Sequence, residues 1–172
     1  MEIRKGTLDD VKDISRIHAL SWKSAYGGIV PQAYLDELKE DFWVSAFSVW
    51  IKDNVLAVQI ITDHGSPVGC VAYGRSRDKS LPSWGEIVSL YLLPAYFGKG
   101  YGNRLLKSAL SDLKKSGYQS LYLWVLQDNQ RARRFYEKSG WQYNQDEYVF
   151  EIMGKKLTDI RYVYSFCTCG KF

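Results

Sequence analysis

Histidine is nearly missing from this chain, with only His18 and His64 in 172 residues, and cysteine is scarce at three. So few imidazoles and thiols do not supply the ligand set of a structural or catalytic metal centre, so no metal is expected. Cys70 falls in a strand pattern, while Cys167 and Cys169 stand one residue apart near the end of the chain and read as free thiols. No window approaches the roughly 20 apolar residues that a membrane span requires, and Met1 to Lys12 is too charged for a secretory signal. The expectation is a soluble, cytoplasmic protein with no membrane partner. No excess of one charge marks the chain either: the net charge is +4, with basic residues spread along the sequence. A nucleic-acid partner would call for a concentrated basic patch, so none is expected. Repeats, low-complexity tracts and long linkers are also missing. The length suits one domain, residues 1–172, large enough to bury a core without disulfides.

What the chain does have is glycine where an anion could be held. The run Leu92-Leu93-Pro94-Ala95-Tyr96-Phe97-Gly98-Lys99-Gly100-Tyr101-Gly102-Asn103-Arg104 passes from an apolar strand through a glycine turn into a helix. Glycines at 98, 100 and 102 open backbone angles closed to other residues, and several N–H groups can then converge on one anion at a helix N-terminus. Spacing separates three readings. A mononucleotide P-loop needs Gly-x-x-x-x-Gly-Lys and then Ser or Thr, but Lys99 is followed by Gly100. A dinucleotide fingerprint needs Gly-x-Gly-x-x-Gly and an acid about 20 residues on, where this chain has Gly-x-Gly-x-Gly and Gln119. The third ligand is the pyrophosphate of coenzyme A. Here Phe97 to Gly102 resembles the GNAT acetyltransferase signature of Gln or Arg, two residues, Gly, one residue, then Gly or Ala. Phe97 is the single departure.

A second motif follows a strand at 120–126: Gln127-Asp128-Asn129-Gln130-Arg131-Ala132-Arg133-Arg134-Phe135-Tyr136-Glu137-Lys138-Ser139-Gly140-Trp141. Asp128 or Asn129 can cap a helix here, and Gly140 suits its left-handed end. Asn129 and Tyr136 are seven residues apart, about two turns, so they can share one helix face. The pattern is similar to the GNAT motif of Asn, six residues, then Tyr in Phe-Tyr-Glu-Lys-x-Gly-Phe, with Trp141 in the last place.

The resemblance implies acetyl-CoA as co-substrate and a small-molecule or peptide amine as acceptor. It implies a cofactor site built from Leu90, Tyr91, Leu92, Phe97, Gly98, Lys99, Gly100, Tyr101, Gly102, Asn103 and Asn129, with Asn129 bonding the pantetheine arm. Tyr136 would stand beside the thioester sulfur as general acid: a thiol with a pKa of ~8.5 needs at most a proton or a strong hydrogen bond as it leaves, and a phenol of ~10 supplies either. The glutamate that some relatives place five residues before Asn129 is Trp124 here, so the best substitute base is Glu86, at the start of the strand entering the cradle. The cluster Arg131, Arg133, Arg134 and Lys138 reads as a solvated face from which one arginine could meet the cofactor's 3′-phosphate. Phe97 and Trp124 favour the alternative, a non-catalytic acyl-CoA-binding or regulatory module on the same fold.

The remaining periodicities predict a mixed, largely antiparallel α/β sheet with a parallel strand pair and flanking helices. Strands are expected at 2–5, 55–62, 68–74, 85–92 and 120–126, then a hairpin of 148–153 and 158–166. Helices are expected after Thr7, over 32–38, 41–51 and 103–116, and after Asn129. His18 reads as a core-edge histidine and His64 as a turn residue. Trp22, Tyr26, Tyr34, Phe42, Trp43, Phe47 and Trp50 are mostly core, some able to line an acceptor pocket. Asp36, Glu37, Glu40 and Asp41 read as a solvated face that could draw a cationic amine. Relatives often dimerise, and the aromatic segment 162–166 reads as an edge strand that a second copy could pair with or that is simply covered.

Overall fold

The computed structural model describes residues 1–166, so Cys167 and Cys169 lie outside the described residues. The chain runs β1 (Glu2–Lys5), α1 (Val11–Ala25), α2 (Gln32–Glu37), α3 (Val44–Lys52), β2 (Ala57–Asp63), β3 (Ser66–Arg75), β4 (Gly85–Leu92), α4 (Tyr101–Lys115), β5 (Ser120–Leu126), α5 (Gln130–Lys138), β6 (Gln142–Ile152) and β7 (Lys155–Ser165). Seven strands form one sheet in the order β1-β2-β3-β4-β5-β7-β6. Every neighbouring pair is antiparallel except β4 and β5, the parallel pair that the strand-helix-strand pattern predicts.

Helices cover both faces of the sheet. On one, α4 places Leu105, Leu106, Ala109 and Leu113 along a single stripe against Val71, Ile87, Leu121 and Leu123. On the other, Ile14 and Ile17 of α1 and Phe47 of α3 pack on Val58, Ile60, Cys70 and Ala72. Residues 58–62 of β2 therefore form a continuous buried run rather than an alternating one. A smaller cluster joins Val30 and Leu35 to Leu126 and Leu157 at the far end of β5. The turn into α1 is tied by Asp10, whose carboxylate accepts the Thr7 N–H at 2.8 Å and both guanidinium arms of Arg4 at 2.8 and 2.7 Å.

Two expectations need correction. The segment 162–166 is not an edge: β7 lies between β5 and β6, Tyr162 is fully buried, and the outer strand is β6. β6 also begins at Gln142 rather than 148, because a polar, solvent-facing edge strand shows no alternation, and a register shift between Tyr143 and Glu147 interrupts it. The hairpin closes through Met153 and Gly154, both at positive φ, as a two-residue turn.

His18, buried on α1, donates from Nδ1 to the Ile14 carbonyl at 2.9 Å and accepts the Ser89 hydroxyl at Nε2 at 3.1 Å. Burial depresses its pKa from 6.5 to about 4. Between those values the unfolded chain binds a proton that the folded chain refuses, so stability is complete above pH 6.5 and falls as pH drops toward 4. At ~1.4 kcal/mol per tenfold change in proton affinity, the loss is on the order of 3 kcal/mol. Urea unfolding at pH 7 and pH 4.5 should show this loss in the native protein and a flatter dependence in His18→Gln.

Candidate active site

The cleft originates in a pairing failure. β4 and β5 pair only at Gly85–Leu121 and Glu86–Tyr122, and a bulge at Val88, where the register against β3 slips, bends β4 away. Beyond residue 86 the two strands diverge. The resulting space is about 560 Å³, ordinary for a cofactor site. Its walls come from β4, the loop before α4, β5, the inner face of α5 and the end of α1. Beyond Glu86 the β4 backbone has no strand partner on the β5 side among the described residues, although Ser21 donates to the Leu92 carbonyl at 2.6 Å.

The glycine loop closes one end. Gly98 and Gly100 have φ of +72° and +83°, the left-handed region, and open space lies where a Cβ would project. The requirement there is conformational, and it turns the chain so that Gly100 caps the N-terminus of α4. Of the residues expected at the cofactor, Leu90, Tyr91 and Leu92 line the strand wall; Phe97, Gly98, Gly100, Gly102 and Asn103 line the loop; Asn129 lines α5. Lys99 and Tyr101 do not line it. Lys99 extends over the Tyr96 ring, 5.5 Å from its centre, and Tyr101 is buried against the same ring.

Asn129 caps α5, its Oδ1 accepting the Ala132 N–H at 3.2 Å, which leaves its amide N–H groups for other partners. Two turns on, Tyr136 is buried between Phe135 and Trp141. Its hydroxyl makes no hydrogen bond among the described residues, and its side chain forms part of the cleft wall. Burial, and then Tyr26, push its pKa up, so the phenol stays protonated. Tyr26 and Tyr91, also on the wall, share a 3.0 Å hydrogen bond, and burial raises both.

Glu86 occupies a different environment. It is 2% exposed, and its carboxylate accepts from Arg77 through the backbone N–H (3.1 Å), Nε (3.0 Å) and Nη2 (2.6 Å), and from the Tyr122 hydroxyl (2.8 Å). It is not part of the cleft wall. The four donors brace the paired end of β4 and β5. Asp36, Glu37, Glu40 and Asp41 are exposed and stand outside the wall.

Two contributors were hidden in the sequence. Tyr26 was one aromatic among seven in its segment, with nothing to mark it. Arg131 was one cation in a cluster, yet its guanidinium stacks on Phe97, 3.8 Å from the ring centre. It pairs with no carboxylate among the described residues, and burial lowers its pKa. Phe97 thus departs from the usual polar residue but holds an arginine at the same rim.

A mixed sheet splayed at its parallel seam, with a glycine loop and an Asn…Tyr helix on the walls, is the arrangement that the sequence resemblance implies for an acetyltransferase. The profile of the Acetyltransferase (GNAT) family matches residues 14–141. The chain belongs to that family. It is 29% identical over 163 residues to YuaI of Bacillus subtilis, an uncharacterised N-acetyltransferase, covering 92% of this chain and 89% of that one. It is 26% identical over 168 residues to spermidine N(1)-acetyltransferase of Thermoplasma acidophilum, covering 91% and 97%. The structure of PaiA N-acetyltransferase from T. acidophilum in complex with coenzyme A superposes with a TM-score of 0.78 at 22% identity, over 96% of this chain and 98% of that one.

Proposed function

We propose that the protein transfers the acetyl group of acetyl-CoA to a primary amine of a small-molecule or peptide acceptor by direct attack. The observation that carries this reading is the free hydroxyl of the buried Tyr136 on the wall of a cleft that ends in the glycine loop. The name of the Thermoplasma relative supports an amine acceptor.

In this reading the pyrophosphate sits at the N-terminus of α4 on the backbone of Gly98 to Asn103, and Arg131 supplies the cation that Phe97 cannot. The pantetheine arm lies along Leu90 to Leu92 in the manner of an added strand and meets the amide of Asn129. The neutral amine attacks the thioester carbonyl, forming C–N, and a β4 backbone amide steadies the oxyanion. As C–S breaks, the Tyr136 hydroxyl hydrogen-bonds the departing sulfur, passes it a proton and regains one from the nitrogen. The products are the N-acetyl amine and the free thiol. Because burial has raised the phenol, its main service is a persistent hydrogen bond, with proton transfer completed as the nitrogen gives up its own. Glu86 enters as a brace of the strand junction rather than as the base.

Calorimetric titration with acetyl-CoA and CoA, followed by thiol release over an amine panel, tests this. Micromolar binding is expected, weakened on the order of 10- to 100-fold in Arg131→Ala, the range of a charge-assisted hydrogen bond. Lack of binding at millimolar cofactor would remove the enzyme reading. Binding without turnover of any amine would favour the non-catalytic module.

A further inference from the structure

Among the described residues, Asp159 on β7 is a carboxylate without a companion. It stands opposite Leu126 of β5 on one side and Tyr148 of β6 on the other. By strand alternation it shares a face with Leu157, and Leu126 and Leu157 belong to the cluster against which Trp22, Tyr26, Tyr34 and Phe150 pack. Among the described residues it has no hydrogen-bond or ion-pair partner, and burial alone raises its pKa to about 6. The cation on its own face, Arg161, is already engaged: its guanidinium pairs with Asp78 at 2.6 Å and Asp146 at 3.2 Å and lies over the Trp124 ring at 4.6 Å. Arg161 therefore does not neutralise Asp159.

Asp159 and Tyr148 stand just outside the cleft wall, and the residues beside them are aromatic. Trp124, one step back along β5 on the same face, belongs to the cleft, and Tyr148 lies 6.4 Å from it, centre to centre. Tyr148 is 60% exposed and stacks on Phe150. Tyr26, which packs against the Leu126 and Leu157 cluster, reaches the cleft from the end of α1. A partly buried carboxylate with aromatic faces beside it is chemistry that selects an ammonium group over a neutral or anionic one.

Resting on the acetyl-transfer reading, we propose that Asp159, with Tyr26, Trp124 and Tyr148, forms an acceptor subsite that holds a second, charged amine of a di- or polyamine while its other amine reaches the thioester. Asp159 is then a specificity-determining residue. It touches the acceptor at a distance from the reacting atoms, and it sets which amines are acetylated rather than how fast the bond forms.

The test compares spermidine and 1,4-diaminobutane with n-butylamine, which lacks the second amine, by thiol release at saturating acetyl-CoA. The expected native result is kcat/KM for the diamines at least tenfold above butylamine. In Asp159→Asn the advantage disappears through KM by on the order of 10- to 100-fold, with kcat and acetyl-CoA affinity retained, and Asp159→Glu restores part of it. Calorimetric titration of spermidine into the CoA-saturated protein reads the anchor without turnover and should lose its heat in Asp159→Asn. Equal use of butylamine and diamines, an unchanged preference in Asp159→Asn, or lack of spermidine binding to the CoA complex would overturn the proposal. Failure of acetyl-CoA itself to bind would instead remove the reading beneath it.

Discussion

Replacing Gly100 with glutamate should raise the dissociation constant for CoA at least 10²-fold while leaving the fold intact. Gly100 lies at φ +83° and caps α4, and open space surrounds the place where its Cβ would project. The side chain fits sterically, at a cost of about 1–2 kcal/mol for the left-handed backbone. It also brings a carboxylate to the helix end where the pyrophosphate would sit. Two like charges 4 Å apart repel by ~4 kcal/mol at an effective dielectric of about 20, which converts to a loss of two to three decades in affinity. Gly100→Ala supplies the strain without the charge. Calorimetry on both, with thermal melts to confirm folding, separates the contributions. Equal losses would locate the effect in the backbone and remove the anion from that loop.

The second large effect belongs to Tyr136→Phe. The ring contacts with Phe135 and Trp141 are kept, and because the hydroxyl makes no hydrogen bond among the described residues, its removal leaves no orphaned partner. Stability should therefore change little and acetyl-CoA affinity by no more than a few-fold. Turnover should fall on the order of 10²-fold, the usual worth of a positioned acid. Single-turnover kinetics beside calorimetry would show the split. If kcat holds, the acid role fails, and the paired phenols of Tyr26 and Tyr91 become the next donors to test.

These two sites were legible in the sequence for a shared reason: each imposes a local demand that few residues meet. Left-handed backbone at 98 and 100 selects glycine, and a helix that caps with Asn129 and presents Tyr136 two turns later writes its spacing into eight residues. Glu86 reads in the sequence as the substitute base, but its partner Arg77 lies in the loop before β4, and nothing at 77 marks it as a brace. Asp159 and Tyr26 are separated by more than a hundred residues, and only tertiary packing brings Tyr26 against the Leu126 and Leu157 cluster beside Asp159. The order β5-β7-β6 was equally concealed, because a hairpin looks alike whichever of its strands joins the sheet. Ile160 and Tyr162, both fully buried, mark β7 as the inner one only once burial is known.

The two-pair seam between β4 and β5 has a consequence for abundance as well as chemistry. Under the proposed function the gap beyond it takes up a diffusible molecule, so the occupant enters the folding equilibrium as a mass-action variable. An occupant present at a hundred times its dissociation constant would add about 2.7 kcal/mol to the folded state. How long each copy of this chain survives proteolysis would then track the supply of its own co-substrate.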